Sequence, residues 1–120
     1  MGADLYRKNN NGEKVPILGF ERSSRAVEGG YFRDAYNDGS ILWKYGLSWW
    51  ADISKLQDKE GIITLIKVRK FRNMLDDKLF EKNIKECSDQ DKKYFRNGAK
   101  LLKKYLDNVI EAKDSIEASL

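Results

Sequence analysis

Two charged residues stand inside the most aromatic stretch of this chain. Arg33 and Asp34 fall between Tyr31-Phe32 and Tyr36, in a run that begins at Gly29-Gly30. The chain has no histidine, so acid/base chemistry would need a tuned Asp, Glu, Lys or Tyr, and these two are the best placed. The structural reading is stronger. Buried charges are normally paired, and a buried Arg33–Asp34 contact would hold a turn among the rings. The lone Cys87 sits between Glu86 and Ser88 with no imidazole to serve as its base, and acidic neighbours work against a reactive thiolate.

Other chemistries fare no better. Zinc sites want Cys and His at close spacing, which one Cys and no His cannot supply. Asp34 to Asp38 lacks the following Gly and distal Glu of a calcium loop. Asp76 and Asp77 are adjacent, so on a helix they diverge by about 100° and cannot clamp one ion. Gly29-Gly30 and Gly39 match neither phosphate-binding pattern. The expectation is a protein that is not an enzyme and needs no cofactor or metal.

The elements that must position these residues begin with the aromatic stretch. Residues 29–53 hold seven of the fourteen aromatics, including Trp43, Trp49 and Trp50, so this segment should anchor the core. Asn37-Asp38-Gly39-Ser40 offers several N-cap candidates for a two-turn helix through Ile41-Leu42-Trp43, and Gly46 can stop it. Ser48 can cap a second helix over 49–57, with Trp49, Ile53 and Leu56 on one face. Trp50 then points about 100° away. Trp43 and Trp49 are expected in the core, and Trp50 partly exposed. With Tyr31, Arg33 and Asp34, Trp50 makes the candidate interaction surface.

Around this segment the pattern predicts a mainly α (α+β) fold in a single domain of 120 residues. Asn9-Asn10-Asn11-Gly12 suits the turn of a small N-terminal β-hairpin between residues 3–8 and 13–18, with Pro16 limiting the second strand. Residues 19–30 read as a loop or one ragged helical turn. Apolar residues from Ile62 to Leu79 recur at spacings of three and four and predict one long helix over 60–84. Ser88-Asp89-Gln90-Asp91 resembles a capping box opening a second, which runs to about 112. A short connection makes the two a long antiparallel helical hairpin packed on the aromatic segment. Residues 113–120 fit helix or strand; the favoured reading is a strand that joins the N-terminal hairpin.

Charge supplies the second candidate surface. Lys67, Arg69, Lys70 and Arg72 form one basic cluster, and Lys92, Lys93, Arg96, Lys100, Lys103 and Lys104 another. A hairpin turning near residue 86 would set position 70 opposite about 102 and join them into a belt. Such a belt could neutralise phosphates; the plainer reading is a solvated helix face with internal ion pairs. At 41% hydrophobic and 35% charged the chain reads as a soluble globular protein. It has neither a membrane-length apolar run nor a leader, and the expected location is the cytoplasm.

The opening Met1 to Tyr6, the block Gly30-Tyr31-Phe32-Arg33-Asp34-Ala35-Tyr36-Asn37, Leu42-Trp43 and Gly46-Leu47-Ser48-Trp49-Trp50 carry a resemblance. Together with the ending Ile116 to Leu120, they resemble a family of small uncharacterised bacterial and phage-associated proteins. The likeness covers about a third of the chain. Ala35 stands where those proteins tend to have Ser, and this chain is shorter between its opening and Gly30. The resemblance implies no activity. Two functions remain: a protein-interaction or accessory role, as for a phage or mobile element, or nucleic-acid binding through the belt.

Overall fold

In the computed structural model, which describes residues 2–13, 26–27, 30–37 and 39–120, the two ends of the chain pair with its middle. The strands are β1 (Gly2–Lys8), β2 (Ala26–Val27), β3 (Tyr31–Ala35), β4 (Ile62–Ile63) and β5 (Ser115–Ser119). They form one antiparallel sheet in the order β2-β3-β1-β5-β4. Side chains alternate across it, as strand geometry requires. Ala3, Leu5, Phe32, Asp34, Ile63, Ile116 and Ala118 are buried on one face. Asp4, Tyr6, Tyr31, Arg33 and Glu117 take the other.

This topology replaces the expected N-terminal hairpin. Residues Asp4 to Tyr6 have β3 on one side and β5 on the other, so β1 is a central strand. The Asn-rich turn does form: Asn9 Oδ1 accepts the Asn11 and Glu13 N–H groups at 2.9 and 3.0 Å, and Gly12 supplies φ +78°. Most of its expected second arm, residues 13–18, lies outside the described residues. Of the predicted loop 19–30, Ala26–Val27 is instead the short strand β2. The C-terminal strand pairs with β1 as the alternation predicts.

The short helices follow their caps. Helix α1 (Ile41–Lys44) starts where the Trp43 N–H donates to Ser40 Oγ at 2.8 Å. It stops at Gly46, whose φ of +75° lets the Leu47 N–H reach back to the Leu42 carbonyl at 3.2 Å. The segment expected as helix 49–57 is a π-helical turn, Trp49–Ile53, followed by a 3₁₀ turn, Ser54–Leu56. Ser48 Oγ caps it from the Ala51 N–H at 3.2 Å, and Asp52 accepts the Ser48 N–H in return at 2.8 Å.

The predicted long helix 60–84 is broken. It comprises β4, then α2 (Leu65–Asn73), then α3 (Asp77–Ile84). Val68, Phe71 and Leu75 share one buried face, but Phe80 comes five residues after Leu75. On a continuous helix that step would turn Phe80 about 140° away from the core. The interruption resets the phase, and Asp76 fixes it by accepting the Lys78 and Leu79 N–H groups at 3.0 and 3.2 Å. Helix α4 (Asp89–Glu111) begins at Ser88, whose hydroxyl accepts the Asp91 N–H at 3.1 Å. It runs antiparallel to α2 and α3 and buries Phe95, Ala99, Leu102, Leu106 and Val109.

Helix α4 ends on Lys113, the one positive-φ residue other than glycine among the described residues, at φ 58°. The Lys113 and Asp114 N–H groups donate to the Ile110 and Val109 carbonyls, each at 3.0 Å. A lysine here bears strain that glycine escapes. Lys113→Gly should therefore stabilise the fold by about 0.5–1 kcal/mol, read as a raised Tm. Asp114 is buried and accepts from Arg7 Nε at 2.7 Å, fastening this corner to β1.

Candidate functional site

Strand alternation separates the two residues with which the sequence reading began. Asp34 points inward and is 3% exposed; Arg33 points outward and stands 3.8 Å from Asp4. The expected Arg33–Asp34 contact is thus corrected: adjacent strand residues occupy opposite faces. The Asp34 carboxylate accepts N–H donors instead, from Ala35 and Ile41 at 2.9 Å and from Leu42 at 3.1 Å. A fourth comes from the Trp49 indole at 3.0 Å. The first turn of α1 is consequently satisfied, with Ser40 taking Trp43 and Asp34 taking the two N–H groups before it. Asp34 is a structural clamp and lies away from any surface.

The tryptophans divide by helical phase. Trp49 is 2% exposed, with its ring edge-on to Phe71 at 5.7 Å. Trp50 is 63% exposed and rests on Tyr36 with centroids 4.8 Å apart. Trp43, expected in the core, is 51% exposed. Its helix is a single turn whose inward positions are filled by Ile41, Leu42 and Tyr45, so Trp43 and Lys44 must face out. The signal lay in the short spacing between Ser40 and Gly46. Beside Trp43 is an open cleft of about 370 Å³ lined also by Lys44, Gly46 and Asn83. Asn83 of α3, in this lining, donates to the Lys44 carbonyl at 2.9 Å.

Tyr31 and Arg33 share the outer sheet face with Tyr6 and Asp4. The Tyr31 and Tyr6 rings are 5.3 Å apart, and the Tyr31 hydroxyl donates to Asp4. Burial, that hydrogen bond and the carboxylate charge push the Tyr31 phenol up to about 12. Of the four predicted surface residues, Trp50, Tyr31 and Arg33 are accessible to differing degrees, and Asp34 is not.

Several members of the two basic clusters are neutralised by neighbouring carboxylates. Arg72 pairs with Asp107 at 2.8 Å, Lys103 with Asp77 at 3.2 Å and Arg96 with Glu81 at 2.5 Å. These contacts set position 72 beside 107, a different register from the expected 70 beside 102. Arg96 holds the Glu81 carboxyl below its ordinary range, mainly through their hydrogen bonds. Burial works to raise Asp77, but hydrogen bonds from Tyr45 and Lys103 outweigh it and hold this carboxyl low too. Burial, then the Asp77 hydrogen bond, raises the Tyr45 phenol. Lys67, Arg69, Lys70, Lys100 and Lys104 remain exposed. A smaller cleft of about 180 Å³ lies over Phe80 and Ala99 between these pairs.

Among the described residues no three carboxylate or cysteine groups converge to hold a metal ion. Nor is any described helix long and apolar enough to cross a membrane. In comparisons with protein-family models, curated proteins and solved structures, no match was found for this chain.

Proposed function

We propose that this chain is a non-enzymatic interaction protein that uses its exposed tryptophans, in the cytoplasm and in the service of a phage or other mobile element. The observation that carries the reading is the division of one short segment: Trp49 is buried at 2%, while Trp43 and Trp50 are 51% and 63% exposed. Exposed indoles cost solubility, and Trp is the residue type most enriched at the energetic centres of protein interfaces. The resemblance of the 30–50 block to phage-associated proteins supports the setting. Nucleic-acid binding by the belt is less favoured, because Arg72, Arg96 and Lys103 already hold carboxylates.

Affinity capture from the native host, with nuclease present, tests this. The wild-type chain should retain a protein partner that Trp43→Ala or Trp50→Ala loses. Both variants should stay folded, since an exposed ring contributes little, at most about 1.5 kcal/mol for the Trp50–Tyr36 stack. A nuclease-sensitive capture abolished by Lys67→Glu with Lys70→Glu would move the function to the belt.

A further inference from the structure

We infer that the cleft beside Trp43 receives an acidic segment of a partner protein carrying one apolar anchor side chain; this rests on the interaction reading above. The cleft lies between α1 and α3. Leu79 of α3 is partly exposed nearby, so close to the turn that a Cβ on Gly46 would stand 3.0 Å from Leu79 Cδ2. Trp43 in the lining and Leu79 next to Gly46 offer apolar surface at a cleft of about 370 Å³ that is otherwise lined by polar groups and glycine.

Charge selects the occupant. Helix α3 sorts its charged residues by face. Asp77 and Glu81, one turn apart, point toward α4 and are held by Lys103 and Arg96. Lys78 and Lys82 come next round the helix, about 100° from Leu79 and from Asn83, which lines the cleft. Both are exposed and have no carboxylate partner among the described residues. On the opposite wall Lys44 lines the cleft, its ammonium 5.0 Å from the centre of the Phe95 ring and likewise without a carboxylate. Glu86 lies past the end of α3. The apolar surface of Trp43 and Leu79 thus adjoins Lys44 and the exposed cations Lys78 and Lys82. A segment that places Leu or Phe on Trp43 and Asp or Glu along Lys44, Lys78 and Lys82 complements both. The Asn83 amide has one N–H and its carbonyl oxygen left to meet a peptide backbone.

The test uses the full chain and short fluorescent peptides in which Glu and Asp flank one central Leu, read by anisotropy. Binding should weaken about tenfold or more when the peptide Leu becomes Ala, and similarly with Trp43→Ala or with Lys78→Glu plus Lys82→Glu. It should fall with added salt. Ile66→Ala, on the exposed face of α2 and not among the residues lining the cleft, should leave it unchanged. Equal binding of a Lys-flanked peptide, or binding indifferent to Trp43→Ala, overturns the inference. So does an absence of binding at about 1 mM peptide. If the acidic peptide fails while Trp43→Ala still loses a captured partner, the partner chemistry is wrong and the interaction reading stands.

Discussion

Asp34→Ala should destabilise the fold by about 3–5 kcal/mol, a large share of the 5–15 kcal/mol typical of a domain. The carboxylate ties together three segments: β3 through Ala35, the start of α1 through Ile41 and Leu42, and the π-helical turn through the Trp49 indole. Truncation leaves those donors facing each other around a hole, each costing about 1–3 kcal/mol if water does not reach it. Asp34→Asn should fall between, because an amide keeps one acceptor oxygen and turns an N–H₂ toward the remaining donors. Arg33→Ala should cost under about 1 kcal/mol, as an exposed side chain 3.8 Å from Asp4 contributes little. Urea unfolding of the three variants gives the order directly. Equal losses for Arg33→Ala and Asp34→Ala would mean that the two side chains act as a buried pair after all.

What the sequence made legible was local. Ser40, Ser48 and Ser88 cap their turns from three residues away, and Gly46 stops α1; each depends on neighbours in the chain. The alternation after Lys113 likewise marked β5. Partners distant in sequence were not legible. Nothing near β1 says that β3 and β5 will occupy its two sides, so the turn at Asn9 suggested a nearer partner. The break at Leu75 carries no Gly or Pro. It exists because Phe80 must return to a core assembled elsewhere, and Asp76 then serves as cap. The basic clusters were visible, but Glu81, Asp77 and Asp107 reach their cations only through the packing of three helices. The Arg33–Asp34 reading failed for a simpler reason: neighbours in a strand cannot share a face.

The second large effect is expected in alkali, where stability should fall steeply between pH 10 and about 12. Burial, the hydrogen bond to Asp4 and its charge push Tyr31 up to about 12. Tyr45 is raised by burial and then by its 2.8 Å bond to Asp77, and Tyr105 by burial, with the Arg7 charge opposing. The folded chain therefore keeps phenol protons that the unfolded chain releases above its ordinary value near 10. Below that value the stabilisation is complete. Above it the unfolded state binds fewer protons, so stability declines by about 1.4 kcal/mol per pH unit for each such phenol. Tyr105 is nearly wholly enclosed and should carry most of this; solvent screening discounts Tyr31 and Tyr45, whose hydroxyls bond to part-exposed carboxylates. Over two pH units Tyr105 alone would remove about 2 kcal/mol, with Tyr45 and Tyr31 adding smaller amounts. Tyrosinate absorbance should rise cooperatively with the loss of far-UV circular dichroism. Tyr105→Phe separates the contributions, because the Tyr105 hydroxyl is buried with no hydrogen-bond partner among the described residues. Its removal should leave stability at neutral pH unchanged or raise it by about 1 kcal/mol, and should flatten the alkaline decline by one phenol. A Tyr105 that ionises before the circular dichroism changes would mean that water reaches its hydroxyl in the folded state.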